Sequence, residues 1–520
     1  MTLSTSATSD LSGGRWRTVV TIVLLVVTGK GLAFIREAFV ASQLGASSLS
    51  DGYYLALAMP TVIYSLGALP FSMWVTARLA ALKGSGASEE VATFYTRVFV
   101  LVVGLSIAVG LAVIATADTL VRLYAPGLDG ERLAQAVTLT RIGAVAIPAL
   151  GAQAVCNGRL FAQGRFLPVY VWLVVGSLVG LGVVVWLTPH YRATGAVWAF
   201  VAAAWASIMG PLVLARAPAS STREGASLIW VDDLGVSVVY RALVMQIYFQ
   251  ASLLLIYGFG STLPVGELSA ALFGSKIQTA VYETIVVTAG VLVFPRIAHL
   301  LQVLDHVAVR TTMLRALSWL LPATAGLVVL LITCRREIVA LIYERNAFDD
   351  RAVDVVSSAL LGYAPGIVGL TLVEIFHRTM VLRGRLGGYL IVFSGALTLN
   401  WQCCHFLSSR FGVAGLTLSS SLGVLFAGIG LIIYASHRLE SMDIRQISLL
   451  LLRTTAAAGL TFIVLTTLHA GLIKHSSFWG QIITVLGSAV VAATILTLAL
   501  LVFGHRWHVA APSGSQTGLG

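Results

Sequence analysis

The sequence predicts an all-α polytopic membrane protein of about fourteen transmembrane helices, arranged as two six-helix lobes plus two C-terminal helices. Three observations carry that expectation. Charged residues make up 11% of the chain and apolar ones 58%, at a mean hydropathy of +0.91, whereas a soluble domain carries about 25% charge. Apolar runs of about 20 residues, enough to cross roughly 30 Å of hydrocarbon, recur along almost the whole length. Segments also repeat at one offset. Lipid satisfies no backbone polar group, so the runs must be helices or closed-barrel strands. Barrel strands are about 10 residues long and alternate polar with apolar; these runs do neither.

Residues 1–16 are rich in Ser and Thr and are expected to form a disordered cytoplasmic N-terminus. The stretch from Arg17 to Ser42 exceeds a signal-peptide core and contains Lys30 and Arg36, so it reads as helix 1. Further spans fall near 51–80, 93–117, 133–163, 167–187, 194–214, 236–260, 266–300, 308–334, 352–380, 387–409, 412–436, 447–472 and 477–504. Pro60, Pro70, Pro148, Pro295 and Pro365 interrupt these runs and mark bending points. The expected units are an N-lobe at 17–216, a cytoplasmic linker at 217–235 and a C-lobe at 236–440. Helices 13 and 14 follow at 441–504, then a cytoplasmic tail at 505–520.

The net charge of +11 does not point to nucleic acid, because most arginines sit in short breaks between apolar runs. With a cytoplasmic N-terminus, about 20 cations fall inside and about nine outside, the positive-inside pattern. An even number of helices puts both termini in the cytoplasm. Cys156, Cys334, Cys403 and Cys404 lie in or beside spans without zinc-ligand spacing and read as small core residues.

The repeat is visible in several places. FAQGRFLP (161–168) aligns with VLRGRLGG (381–388), and ATGAVWA (193–199) with VAGLTLS (413–419), both at a shift of 220. At a shift of 219, Tyr124 falls on Tyr343 and Gly143 on Gly362. Units of six helices enter the membrane in the same sense. A pseudo-twofold along the membrane normal should therefore relate them, with a substrate site between the lobes near the midplane.

Ionisable groups within the spans are the candidate site, since each costs about 2.5–3.5 kcal/mol at a helix centre. Lys30 lies thirteen residues beyond Arg17, about 20 Å along a helix, too deep to reach an interface easily. Gly29 and Gly31 beside it permit a kink or a close approach. Lys276 lies at comparable depth in helix 8, with Glu267 nearer the outer end and Glu283 further in. Lys30, Arg36 and Lys276 are expected to line an aqueous cavity and bind an anionic headgroup, a diphosphate being the natural guest. The alternative is structural pairing of Lys276 with Glu283 and of Arg36 with Asp51. A straight helix would also set Lys30 and Arg36 about 120° apart. Gln246, Gln250, Asn400 and Gln402 offer polar lining or interhelical hydrogen bonds, and Glu374 with His377 offers a proton relay. Neither a catalytic constellation nor a metal or cofactor motif stands out.

The stretch GLAFIREAFVASQLGASSLSDGYYLALAMP (31–60) resembles the first two helices of the lipid II flippases (MurJ/MviN), within the multidrug/oligosaccharidyl-lipid/polysaccharide superfamily. FPRIAHL (294–300) is similar to that family's helix 8 ending, and LIYERNAFDDRAV (341–353) to its turn after helix 9. The resemblance implies a cationic cavity between the lobes, a lipid-facing groove at helices 13 and 14, and alternating access. It maps the headgroup site onto Lys30, Arg36, Asp51 and Lys276, with Tyr64 where the family carries an arginine and Leu69-Pro70 where it carries an acid-glycine step. Some relatives bind sodium through acids on helices 7 and 11, whereas helix 7 here offers glutamines.

The expected function is therefore flipping of an undecaprenyl-diphosphate-linked saccharide across a bacterial inner membrane, driven by membrane potential or a cation gradient. The expected partners are the lipid-linked substrate, membrane lipids and cell-envelope synthesis proteins, with the chain a monomer. Three rivals remain: a multidrug or cation exporter of the same superfamily, a transport-dead scaffold, and a membrane-embedded polymerase. The short outer loops speak against the last.

Overall fold

In the computed structural model the described residues are 11–84, 88–215, 233–290, 306–383, 386–438, 444–472 and 478–504, with scattered positions from 293 to 300. Their crossings follow the spans read from the sequence. α1 is Leu11–Leu44; α2 is Ser48–Ile63, continued through a π turn (Tyr64–Ala68) into Leu69–Gly84; α3 is Ser88–Ala115. α4 is Gly130–Ala144 and Ile147–Ala162, broken beside Pro148. The apolar stretch Leu167–Leu214 reverses at Arg192, giving α5 before it and α6 after. α7 is Asp233–Ser261; α8 is Glu267–Tyr282 and a second π turn (Glu283–Val287); α9 is His306–Thr333. α10 is Asp350–Tyr363 and Gly366–Arg383, bent by 42° where Pro365 denies an N–H. Leu386–Arg438 reverses at Gly412 into α11 and α12, and α13 (Ile444–Leu472) and α14 (Phe478–Gly504) complete the set. Counting each hairpin once, eight described helices are long and apolar enough to span a membrane by length and composition alone.

Two expectations need adjustment. α1 begins at Leu11, inside the segment read as disordered, because extending an existing helix adds a hydrogen bond per residue without a new nucleus. It also runs unbroken past Gly29 and Gly31. The missing side chain at Gly29 serves contact with α5, where an added Cβ would lie 3.6 Å from Leu173 and Val174. The 217–235 linker falls almost wholly outside the described residues, as do Pro295 and the 505–520 tail.

The duplication is written into the element boundaries. α2 and α8 start at 48 and 267, and their π turns start at 64 and 283. Short surface helices, Ala117–Tyr124 and Arg335–Tyr343, follow α3 and α9. The second halves of α4 and α10 start at 147 and 366, and the hairpins at 167 and 386. Even the two backbone reversals correspond, at Arg192 (φ 48°) and Gly412 (φ 55°). An offset this constant identifies the halves as two copies of one fold.

Packing then defines two faces. On the far face, carrying the α1–α2 and α7–α8 turns, a single apolar core includes residues of both lobes, among them Tyr53, Leu139, Phe273 and Tyr343. Toward the near face, where α1 begins, the core divides. Val75, Val155 and Ile208 belong to an N-lobe core, and Met313, Phe376 and Phe393 to a separate C-lobe core. α13 and α14 lie against α9, on the C-lobe flank.

Candidate functional site

The far-face closure is built largely from backbone. Gly45 and Gly266 hold positive φ (63° and 89°), and a Cβ at either would lie 2.4 Å from Ala347 O or 2.2 Å from Ala46 O. Only glycine permits those conformations with the chains so close. Ala347 N donates to Ser42 O at 2.9 Å, and Ser50 meets Ser269 at 2.9 Å. Asp51 completes the closure. From the N-lobe it accepts the backbone N–H groups of Gly266 (2.9 Å) and Ser269 (2.8 Å), capping the first turn of α8 in the other lobe, with Arg132 3.7 Å away. It is 2% exposed. In this closed arrangement both Asp51 oxygens are engaged in holding the lobes together, so neither is free for a headgroup while the far face is shut.

Deeper along α1 and α8, opposite charges face each other across the lobes. Lys30 Nζ lies 2.5 Å from Glu283 of the α8 π turn, with side chains 50% and 35% exposed. One such pair at mid-span is tolerable only beside water or a polar cavity. Glu37, seven residues beyond Lys30, lies on the same face of α1, and Lys276, seven before Glu283, on the same face of α8. α1 and α8 run in opposite senses, so the order of signs is inverted at a second rung. There the Lys276 charge of α8 lies within electrostatic range of Glu37 on α1, whereas Lys30 and Glu283 form a direct ion pair. The rungs are about 10 Å apart along the helices.

Glu37 is the residue the sequence reading passed over. It is buried and accepts from Arg36 Nη2 (3.1 Å), Tyr53 OH (3.2 Å) and Tyr54 OH (3.1 Å). Its signal was present in the adjacent Arg36-Glu37 and Tyr53-Tyr54 pairs, but only the fold shows that both pairs converge on one carboxylate. Arg36 thus pairs with its neighbour, not with Asp51, and Glu283 with Lys30, not with Lys276. Both structural pairings considered from sequence are replaced.

The remaining candidates lie elsewhere. Tyr64 opens the α2 π turn, which packs on α4 and α7. Gln246 and Gln250 occupy one face of α7, and Gln250 Oε1 is buried without a partner. Asn400 is fully buried inside the C-lobe, accepting from Cys404 Sγ at 3.4 Å, so it is corrected as a cavity-lining residue. Glu374 is held by Arg378 and Tyr282, and His377 is buried against Tyr389. All four cysteines are free.

This architecture has relatives. A family model described as lipid II flippase MurJ matches residues 40–490. The chain is 24% identical over 442 residues to a lipid II flippase MurJ of Burkholderia cenocepacia, covering 80% of this chain and 83% of that one. It is also 24% identical over 472 residues to a probable lipid II flippase MurJ of Synechocystis sp., covering 84% of each. Among solved structures it is similar to a lipid II flippase MurJ in an inward closed conformation, at a TM-score of 0.76 and 15% identity, over 93% of this chain and 98% of that one. It is likewise similar to an inward-facing multidrug resistance MATE transporter of the MOP superfamily, at a TM-score of 0.63 and 15% identity, over 81% and 98%.

Proposed function

Because the chain belongs to the lipid II flippase MurJ family, we propose that it moves an undecaprenyl-diphosphate-linked saccharide, lipid II or a close analogue, between membrane leaflets by alternating access. The observation that carries this reading is the pair of inverted charge rungs between α1 and α8. Among the described residues, Lys30, Arg36 and Lys276 are set against two carboxylates, Glu37 and Glu283, leaving one net positive charge in that group. A diphosphate supplies the negative charge that this cluster lacks. Its oxygens replace Glu283 at Lys30 and compete with Glu37 for Arg36 and Lys276, where charge-assisted bonds are strong. Losing the Lys30–Glu283 contact removes a tie between the lobes, so occupancy and lobe movement are coupled. Cation export is less well served, since each carboxylate is already matched by a cation.

The near face is assigned to the cytoplasm, where the divided core receives the headgroup while the far-face closure is shut. The lobes are taken as 17–216 and 236–440. The polyprenyl tail stays in lipid beside the α1–α8 seam, with α13 and α14 on the same flank as α9.

The test compares Lys30→Gln with Glu283→Gln for binding of a soluble polyprenyl-diphosphate analogue in nanodiscs. Removing the cation should weaken binding, whereas removing its competitor should preserve or strengthen it. Equal losses in both variants would reduce the pair to a structural bridge and defeat the exchange mechanism.

A further inference from the structure

The second seam between the lobes, where α2 and the short helix Ala117–Tyr124 meet α7, has no part in the charge rungs. It contains a groove of about 520 Å³, walled by Met59, Leu120 and Tyr124 from the N-lobe and Leu255, Phe259 and Trp401 from the C-lobe. A second hollow of about 270 Å³ shares Leu255 and Trp401 and extends to Ala251 and Leu397. Together they follow one stripe of α7 from Phe259 to Ala251, about 12 Å along the helix axis, and reach Thr262 just past its end. The lining is almost wholly apolar. Leu123 and Trp401 stand at its edge 78% and 54% exposed.

We propose that this groove holds one acyl chain of a phospholipid from the far-face leaflet. Its shape selects the occupant: it is long, narrow and parallel to a membrane-crossing helix. It opens sideways where the surrounding medium is hydrocarbon. Among the described residues no charged side chain lines it, so the lining offers little to a diphosphate. The substrate's own tail belongs to the other flank, beside the charge rungs on α1 and α8. Gly258 makes the room, because an added Cβ would meet only Tyr124 O, at 3.7 Å.

The position has a mechanical consequence. The larger hollow takes one wall from each lobe, so parting the lobes at the far face opens it and frees the part of the chain that it holds. A ligand that binds one conformation alone stabilises it. The lodged chain therefore holds the far face closed, and transport includes its displacement.

The experiment uses the full chain in phosphatidylethanolamine/phosphatidylglycerol vesicles containing a phospholipid with a photoreactive diazirine on its acyl chain. After illumination, adducts are mapped by peptide mass spectrometry. Labelling at 251–262 and at Trp401 should exceed that on the exposed face of α3 (Val100, Leu101, Leu105). Gly258→Leu, and separately Ala251→Leu, should abolish the excess while leaving α3 labelling unchanged. Equal labelling of groove and α3 in the unaltered protein overturns the proposal. So does loss of the groove signal on adding undecaprenyl phosphate, which would assign the groove to a polyprenyl tail. Neither readout depends on transport, so failure here leaves the flippase reading intact, and the reverse holds.

Discussion

At the scale of single residues, the ionisable groups divide into those that close the molecule and those that a substrate can exchange. Asp51 closes it. Asn at this position keeps one accepting oxygen, so one of the two α8 N–H groups loses its acceptor, at about 1–3 kcal/mol. Asp51→Asn should therefore shift the population toward far-face opening by roughly 5- to 160-fold, at about 1.36 kcal/mol per tenfold. Spin labels at the exposed positions 123 and 265 would report this as a longer distance between the lobes. An unchanged distribution would remove Asp51 from the closure. Lys30 belongs to the exchangeable set. Lys30→Ala should abolish flux with membrane insertion intact, and Lys276→Glu should be worse than Lys276→Ala because it adds repulsion toward a diphosphate. Flux assays on reconstituted vesicles separate these outcomes. Depth alone made Lys30 and Lys276 legible in the sequence, since an apolar span with one cation is costly without a use. Their partners were not legible, because Glu37 and Glu283 meet them across a seam between elements distant in the chain.

At the scale of elements, the paired π turns at 64–68 and 283–287 are the feature the sequence did not disclose. No residue type demands a π turn, and proline marks only one of them, through Pro60 four residues earlier. Such turns widen the helix locally and are frequent at functional sites. Here one begins at Glu283 of the charge pair and the other at Tyr64, facing α7. Deleting one residue from 284–287 should restore α-helical winding and rotate Lys276 and Glu283 together by about 100° relative to the part of the chain beyond the turn. The expected result is loss of diphosphate binding with unchanged helical content by circular dichroism. Full binding would show that the turn plays no part in aligning the rungs. The crossings themselves were legible because hydropathy reports length and polarity directly. The turns at Arg192 and Gly412 were legible because the two stretches they join are together too long for one crossing.

For the whole molecule, the lobes share one core at the far face and keep separate cores toward the near face, so motion between them should hinge far from the near opening. Ser42 and Ala347 join the lobes through a backbone hydrogen bond. Cysteines placed at both positions should form a disulfide that arrests flux, with recovery on reduction; Cα separations of about 4.4–6.8 Å suit such a bond. Flux that persists in the fully cross-linked protein would rule out rocking of the lobes. The duplication was legible from a handful of glycine, tyrosine and arginine matches, because turn residues resist drift where a conformation demands them. The closure was not, since it depends on carbonyls and N–H groups that carry no sequence signal.

Ser50 against Ser269, and Tyr54 against Phe273, are equivalent positions of the two copies touching each other. In a dimer of identical chains any charge at such a crossing would confront its own image, because each surface patch repeats in the partner. Here the copies have parted company along α2 and α8: Asp51 stands where the other has Ala270, Lys276 where the first has Leu57, and Glu283 where the first has Tyr64. A single polypeptide can thus put acid on one side of a symmetric frame and base on the other. That freedom is what an anion-carrying seam requires, and two separate identical subunits would lack it.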